Sequence, residues 1–264
     1  MKLWREASDR DLRNIRAIVT DLDGTLTDAS GRVASLTYAS LWAARDAGLR
    51  VIVATGRSVG WADLLVRQWP LDGVIAEGGG VALTLRADGI IERRYARAER
   101  QRAADSTALY RAASEVLHQF PRARLAADQA FRETDLAIDH SEEVRPPLSQ
   151  KVREAITAHF IKSGFSASAS SIHVNAHAGS YDKSGLSKKV LASLGVSVKA
   201  ALYVGDAPND EGAFAAFSHS VGVANIAPHL PHLKHRPTFA TEGAGGAGFV
   251  EVVDRLRAAR SRGR

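Results

Sequence analysis

Apolar positions along the chain change period twice, and the changes divide it. Ile15 to Val19, broken only by Arg16, reads as a short buried strand. Residues 35–47 carry apolar side chains at helical spacing, with Gly48 placed to cap the C-terminus. Leu49 to Ala54 is a β-branched strand, Val59 to Gln68 a helix, and Leu71 to Ala76 another strand ending at Glu77-Gly78-Gly79-Gly80. This β-α-β-α-β alternation predicts a parallel sheet with helices on its faces. After residue 80 the pattern differs. Val81–Leu85 and Ile90–Arg94 flank Ala87-Asp88-Gly89, a hairpin signal. A helix over 99–119 ends before Pro121, and strands follow at Arg124–Ala130 and Thr134–Asp139. A helix from Leu148 to Lys162 and strands at Phe165–Ala169 and Ile172–His177 repeat that order. The αββ unit, used twice, predicts a small antiparallel sheet with two helices on one face. From Tyr181 the first pattern resumes: a helix from Lys183 to Leu194, a strand Ala201–Val204 ending at Gly205-Asp206, a short helix Phe214–Phe217, a strand Ser220–Val223 and a closing helix Phe249–Ala258.

The fold class is therefore α/β: a Rossmann-like parallel-sheet core, discontinuous over 1–80 and 178–264, with an inserted α+β (αββ-αββ) domain over 81–177. Composition leaves this intact, since 45% apolar and 24% charged residues are ordinary globular values. There is no apolar run of membrane-spanning length, and MKLWREASDRDLRNIR is too charged for a secretory leader. With no cysteine there is no disulfide framework and no thiolate chemistry. A cytoplasmic protein without a membrane partner is expected, as monomer or homodimer. The formal charge of +6 invites a nucleic-acid partner, but Arg93, Arg94, Arg97, Arg100 and Arg102 are interleaved with Glu92, Glu99 and Asp105. A solvated, arginine-rich surface and no nucleic-acid partner are expected; Arg255–Arg264 reads as a frayed helix end.

The chemistry sits where strands stop and helices start. Asp21 and Asp23, at spacing i, i+2, share one face of extended chain, and Gly24 lets the backbone turn sharply after them. Thr55-Gly56-Arg57, Lys183 and Gly205-Asp206-Ala207-Pro208-Asn209-Asp210 occupy equivalent positions. A phosphomonoester dianion approaches a carboxylate only if its charge is offset, because two unit charges about 4 Å apart cost roughly 4 kcal/mol at an effective dielectric near 20. Mg²⁺ on hard oxygens from Asp21, Asp206 and a backbone carbonyl would supply most of that charge, and Lys183 the rest. Thr55 offers a hydroxyl and a backbone N–H to phosphoryl oxygens. Asp21 is then placed to attack phosphorus, and Asp23 to protonate the leaving alcohol and later to activate water.

DLDGT, a strand-final Thr before Gly-Arg, a lone Lys and GDxxND, in that order, resemble the haloacid dehalogenase superfamily of phosphatases. The insert between the Thr and Lys motifs resembles the C2B cap of subfamily IIB, which holds Cof-type, sucrose-phosphate and mannosyl-3-phosphoglycerate phosphatases and phosphomannomutases. The resemblance implies a Mg²⁺-dependent phosphatase for a small phosphorylated metabolite, a sugar or glycosyl phosphate, with a phosphosugar mutase as the alternative. It implies that Asp21 is nucleophile and metal ligand, and that Asp23 is acid/base and binds metal through its main-chain carbonyl. Thr55 and Lys183 would act on the phosphoryl group, Gly24, Gly56, Arg57 and Asn209 would contact phosphate or substrate, and Asp206 and Asp210 would complete the metal site. Asn209 and Asp210 would also orient Lys183. A cap closing over the site at the chain crossings near 80 and 178 is expected. One departure is visible: many IIB members read Glu-Asn-Gly-Gly where this chain has Glu77-Gly78-Gly79-Gly80.

Other polar residues admit two readings. Arg57 suits substrate phosphate, or equally a helix cap or a pair with Glu77. His173, Asn175 and His177 alternate along one strand, and solvent-facing positions would look the same. Arg132, Glu133, Asp135 and Asp139 fit a sugar pocket or hairpin surface charge. His229, His232 and His235 are spaced like a metal stripe but lack a carboxylate partner, and a loop is the simpler reading. A non-enzymatic binding module is disfavoured, since every catalytic carboxylate is present.

Overall fold

A computed structural model describes residues 1–170 and 172–261. In chain order the elements are β1 (Lys2–Leu3), α1 (Asp9–Asn14), β2 (Ala17–Thr20), α2 (Ser35–Asp46), β3 (Arg50–Ala54), α3 (Val59–Gln68), β4 (Gly73–Ala76), β5 (Val81–Leu85) and β6 (Ile91–Tyr95). Then come α4 (Glu99–Gln119), β7 (Arg124–Leu125), β8 (Asp135–Asp139), α5 (Gln150–Lys162), β9 (Ser166–Ala169) and β10 (His173–His177). The chain closes with α6 (Lys183–Ser193), β11 (Ala201–Gly205), α7 (Glu211–Ala216), β12 (His219–Gly222), β13 (Phe239–Ala240) and α8 (Gly245–Ser261).

The core is a nine-stranded sheet in the order β1-β13-β12-β11-β2-β3-β4-β5-β6, parallel as far as β4. Its strands are buried on both faces. Ile18, Val51, Val53, Leu202 and Val204 pack toward α2, α3 and α8, while Val19, Ile52, Ile75 and Tyr203 pack toward α6 and α7. The hairpin β5–β6 pairs antiparallel with β4 and so extends this sheet. Residues 81–95, grouped with the insert from their change of period, thus belong to the core sheet. The first and last strands, β1 and β13, are two residues each and carry no periodicity to read.

The cap proper is the four-stranded sheet β7-β8-β10-β9. Leu136, Ile138, Val174 and Ala176 pack against Val116, Ile156 and Phe160 of α4 and α5. Alternation then turns Asp135, Asp139, His173 and Asn175 to the opposite face. That face is also buried, so it packs against the core rather than facing water. The closing helix is no frayed end as far as it is described: Val252, Val253, Leu256 and Ala259 are buried, and Arg255 pairs with Asp9 at 2.5 Å. Residues 262–264 of the predicted frayed tail lie outside the described residues. The arginine-rich surface is paired, with Arg94 on Glu92 and Arg97 on Asp105. No helix among the described residues is long and apolar enough to cross a membrane.

Candidate active site

Strands β11, β2 and β3 lie side by side and end abreast, at Asp206, Asp21 and Thr55. The chain leaves β2 toward β3 and leaves the adjacent β11 in the opposite direction toward β12, and such a switch point is where open α/β sheets bind ligands. The ladder continues to the first acid, whose N–H donates to the Val204 carbonyl at 2.8 Å. Gly24 has φ +83°, and a Cβ there would lie 2.3 Å from Asp206 Oδ2. Only glycine lets the loop after Asp23 come this close to the second carboxylate. Thr25 Oγ1 donates to Asp206 Oδ1 at 3.1 Å, and Asn225 Nδ2 donates to Asp206 Oδ2 at 2.8 Å and to the Gly24 carbonyl at 3.0 Å.

Lys183, the first residue of α6, is buried and donates to Asp21 Oδ1 at 2.6 Å and Asp210 Oδ1 at 2.7 Å. Burial pulls its ammonium down, but Asp21 and Asp210 outweigh that and hold it above the usual lysine range. Asp210 Oδ1 also accepts from the Tyr203 hydroxyl at 2.6 Å, and its Oδ2 accepts the N–H groups of Asp206 and Ala207. Both its oxygens are therefore engaged in holding Lys183 and the Asp206 loop. Oxygens of Asp21, Asp206 and Asp210 lie within 4.8 Å of one another, in the only group of metal-capable side chains among the described residues. Burial, more than any neighbour, pushes the Asp21 carboxyl up, and Asp210, Asp206 and Asp23 add to it against Lys183. Burial and then Asp210 push Asp206 up to about 7. Three buried carboxylates against one ammonium are short of positive charge, and an all-oxygen donor set suits a hard divalent cation.

Thr55 is buried, and its backbone N–H is spent on the Ile75 carbonyl at 2.8 Å, so of the two donors expected only the hydroxyl remains for a ligand. That hydroxyl oxygen accepts the Arg57 N–H at 3.0 Å. The Arg57 guanidinium does not pair with the Glu77 carboxylate, although the Arg57 carbonyl accepts the Glu77 N–H at 2.9 Å. The guanidinium forks onto Asp23 (Nε to Oδ2 2.9 Å, Nη2 to Oδ1 2.8 Å), reaches Glu142 of the cap at 2.6 Å and lies 4.6 Å above the Trp61 ring. The acid/base candidate is thus clamped by a core arginine that also touches the cap. The Gly56 carbonyl accepts from Arg132 at 2.9 Å and from Asn175 at 3.3 Å. Asn209 lines the cleft with a buried Oδ1 that has no protein partner.

Cap residues with open readings turn out to be junction residues. Arg132 is a buried cation paired with Asp128 and Asp135, neither a sugar contact nor surface charge. Asp139 accepts from the N–H groups of Ser141, Glu142 and Glu143, each at 2.8 Å, and so sets the loop that carries Glu142. His173 and Asn175 are buried in the cleft, correcting the solvent-facing reading, and His177 stacks on Tyr181 at 3.9 Å. Glu77, fully buried, accepts from Val59 N at 3.0 Å in the core and from Glu133 N, Thr134 N and Thr134 Oγ1 in the cap. Burial and then Asp135 push its carboxyl up to about 7 while those donors pull the other way. Glu77→Ala, which strips the acceptor from several buried N–H groups, is expected to cost about 3 kcal/mol or more; urea unfolding would show a lower midpoint at unchanged slope. The glycines that follow also have a physical reason. Gly78 has φ +63° with open space around it, a backbone that Asn or Gly both tolerate, whereas a Cβ on Gly79 would lie 2.0 Å from the Asp182 carbonyl. His229 and His232 lie on the 3₁₀ segment Ala224–His232, His235 follows it, and none joins the metal-capable group.

Between cap and core, Asp21, Asp23, Arg57, His173, Asn175 and Asn209 enclose only about 10 Å³, roughly one water. A neighbouring cleft of about 390 Å³ opens on Lys183 and Asn209 from the side of Ser166, His177 and Tyr181. Sequence reasoning missed Asn225, Thr25, Tyr203 and Glu142. Tyr203 reaches the site from inside the apolar strand β11, where it reads as core, and Asn225 from the 3₁₀ segment Ala224–His232, which carries no motif; Thr25 was in plain view inside DLDGT.

The sequence model of the haloacid dehalogenase-like hydrolases matches residues 18–109. A protein of Halobacterium salinarum named phosphoglycolate phosphatase is 30% identical over 245 residues, spanning 91% of this chain and 96% of that protein. Among solved structures, Thermoplasma acidophilum 0175 superposes with TM-score 0.71 at 18% identity, over 92% of this chain and 98% of that one. The sucrose-phosphatase of Synechocystis, solved with sucrose and phosphate, superposes with TM-score 0.64 at 16% identity over 91% and 97%.

Proposed function

Because the chain belongs to the haloacid dehalogenase-like hydrolase family, we propose that it is a Mg²⁺-dependent phosphomonoester hydrolase acting through an aspartyl-phosphate on Asp21. The observation that carries this reading is the buried group Asp21, Asp206 and Asp210 with Lys183 bonded to its first member at 2.6 Å. Asp21 and Asp206, with the main-chain carbonyl of Asp23, would hold the cation, which when bound offsets the phosphate charge as a Lewis acid. A carboxylate oxygen of Asp21 forms the new bond to phosphorus as the ester P–O bond breaks. The proton for the departing alkoxide comes from Asp23, whose carboxyl is oriented by the Arg57 fork. Asp23 then takes a proton from water, whose oxygen attacks phosphorus, releasing inorganic phosphate and restoring Asp21. Lys183 holds Asp21 in place and balances the phosphoryl charge, and the Thr55 hydroxyl and Asn209 amide are positioned to bond phosphoryl oxygens.

The substrate is a small phosphorylated metabolite, and a sugar or glycosyl phosphate is the reading preferred here. The fold likeness to the sucrose-phosphatase supports it, as does the 390 Å³ cleft bordered by Ser166, Ser168, His177 and Tyr181. A second reading, 2-phosphoglycolate, is favoured by the name of the Halobacterium relative. The mutase alternative loses ground, because no cap arginine lines either cleft among the described residues. Phosphate release from p-nitrophenyl phosphate and a panel of sugar phosphates should require Mg²⁺ and stop with EDTA; turnover unaffected by EDTA would count against the reading.

A further inference from the structure

The cavity directly over Asp21 and Asp23 has one cation in its described lining, Arg57, and that cation is already engaged. Two of its nitrogens face Asp23 and a third donates to Glu142 Oε1 at 2.6 Å. The other oxygen of Glu142 lies 2.9 Å from His173 Nε2. Arg57 and His173 come from different domains, the first after β3 of the core and the second on β10 of the cap, and both side chains are at most a tenth exposed. Together they hold a carboxylate by both of its oxygens, next to the catalytic acids. The loop bearing that carboxylate is itself fixed by Asp139 through three backbone N–H groups. The bond to His173, ahead of the Arg57 charge, holds the Glu142 carboxyl down to about 2, so it is an anion at neutral pH.

We infer that Glu142 selects the charge of the leaving group: Arg57 and His173 form a carboxylate-holding cradle over Asp21 and Asp23, and the cap's own Glu142 fills it. The site therefore takes phosphate esters of neutral, hydroxylated alcohols and turns away esters whose alcohol carries a carboxylate. This rests on the reading of the chain as a phosphomonoester hydrolase. The charge balance explains the selection. Glu142 already neutralises the guanidinium, so a substrate carboxylate entering here meets an anion and finds no unpaired cation. A hydroxyl in the same place accepts from or donates to Asn175 or Ser170 of the cavity lining without that repulsion. Truncating Glu142 leaves Arg57 and His173 with a vacancy shaped for the carboxylate they now hold, and an amide in its place keeps the volume but removes the charge that repels a substrate carboxylate.

The test uses a matched pair on the full chain with Mg²⁺: 2-phosphoglycolate and 2-hydroxyethyl phosphate, alike except that a carboxylate replaces a hydroxymethyl group. The wild type is expected to favour 2-hydroxyethyl phosphate in kcat/KM by about tenfold or more. Glu142→Gln and Glu142→Ala should each move that ratio toward 2-phosphoglycolate by about tenfold, mainly through KM. Urea unfolding of both variants checks that the fold is kept, and Glu142 sits at a partly exposed position where either replacement fits. A ratio in both folded variants within about twofold of the wild type overturns the selection by Glu142, and so does a wild type that already prefers 2-phosphoglycolate. Phosphate release from neither of these esters nor from p-nitrophenyl phosphate overturns the hydrolase reading instead, so the two failures are told apart.

Discussion

Asp21→Asn is expected to lower phosphate release by at least about 10⁴-fold while leaving the fold intact. The substitution is close to isosteric, and the amide oxygen still accepts from Lys183, which now sits 2.6 Å from Asp21 Oδ1. What is lost is the anion: an amide oxygen does not form the acyl phosphate that a carboxylate forms. The stability effect should have the opposite sign. Burial and three neighbouring carboxylates push the Asp21 carboxyl above its ordinary range, so without metal its charge is a burden on the folded state. Thermal unfolding in EDTA should therefore place Asp21→Asn at or above the wild type. Metal-dependent turnover within about tenfold of wild type would remove Asp21 from the nucleophile's role.

That opposition between activity and stability shows why the site was readable before the fold. Asp21, Asp206 and Lys183 are costly residues to bury, and together with Asp210 they are short of positive charge, as a cation-binding site would be. Their spacing along the chain, each at the end of an apolar run or the start of a helix, places them at one sheet edge by the rules of parallel sheets alone. The cap was legible for the same reason its parent sheet was, since αββ repeats carry period. What was not legible lies at the junction. Arg57, Glu142 and Glu77 are charged residues that on a chain look like surface, and here they are wholly or partly buried because each meets a partner across two domains. Burial of such groups depends on pairs more than 50 residues apart, such as Arg57 with Glu142 at a separation of 85 and Glu77 with Thr134 at 57. No local pattern encodes those. The hairpin 81–95 failed differently: its alternation was read correctly, but a strand pair does not announce which sheet it joins, and β4 offered it an open edge.

The junction also explains how a cap can be part of the chemistry. Asp23 is held by Arg57, Arg57 is held by Glu142, and Glu142 belongs to the cap. In the proposed mechanism the groups that would meet the leaving alcohol are therefore assembled only when cap and core meet, while those that would meet the phosphoryl group, Asp21, Lys183 and Thr55, are core residues throughout. Changes in the cap should accordingly alter which ester is taken more than whether phosphate is cleaved.

Lys183→Met should cost both activity and stability, in contrast to Asp21→Asn. Lys183 is 1% exposed and is the buried counter-ion of Asp21 at 2.6 Å and Asp210 at 2.7 Å. Methionine fills most of its volume, so packing changes little, but two carboxylates are left facing each other without a cation. Breaking a buried pair from one side costs about 3–5 kcal/mol, here offset in part by the Tyr203 hydroxyl and the two N–H groups that still serve Asp210. Urea unfolding in EDTA should show the loss as a lower midpoint at unchanged slope. Turnover should fall by about 10²–10³-fold, since an electrostatic partner of the transferring phosphoryl group is gone. The double variant Asp21→Asn with Lys183→Met should recover part of the stability, because only one carboxylate then lacks its partner. A coupling of about 1–3 kcal/mol between the two changes would measure the pair directly. If instead the two stability effects simply add, Lys183 is not held in place by Asp21, and the electrostatic account of the site fails at its centre.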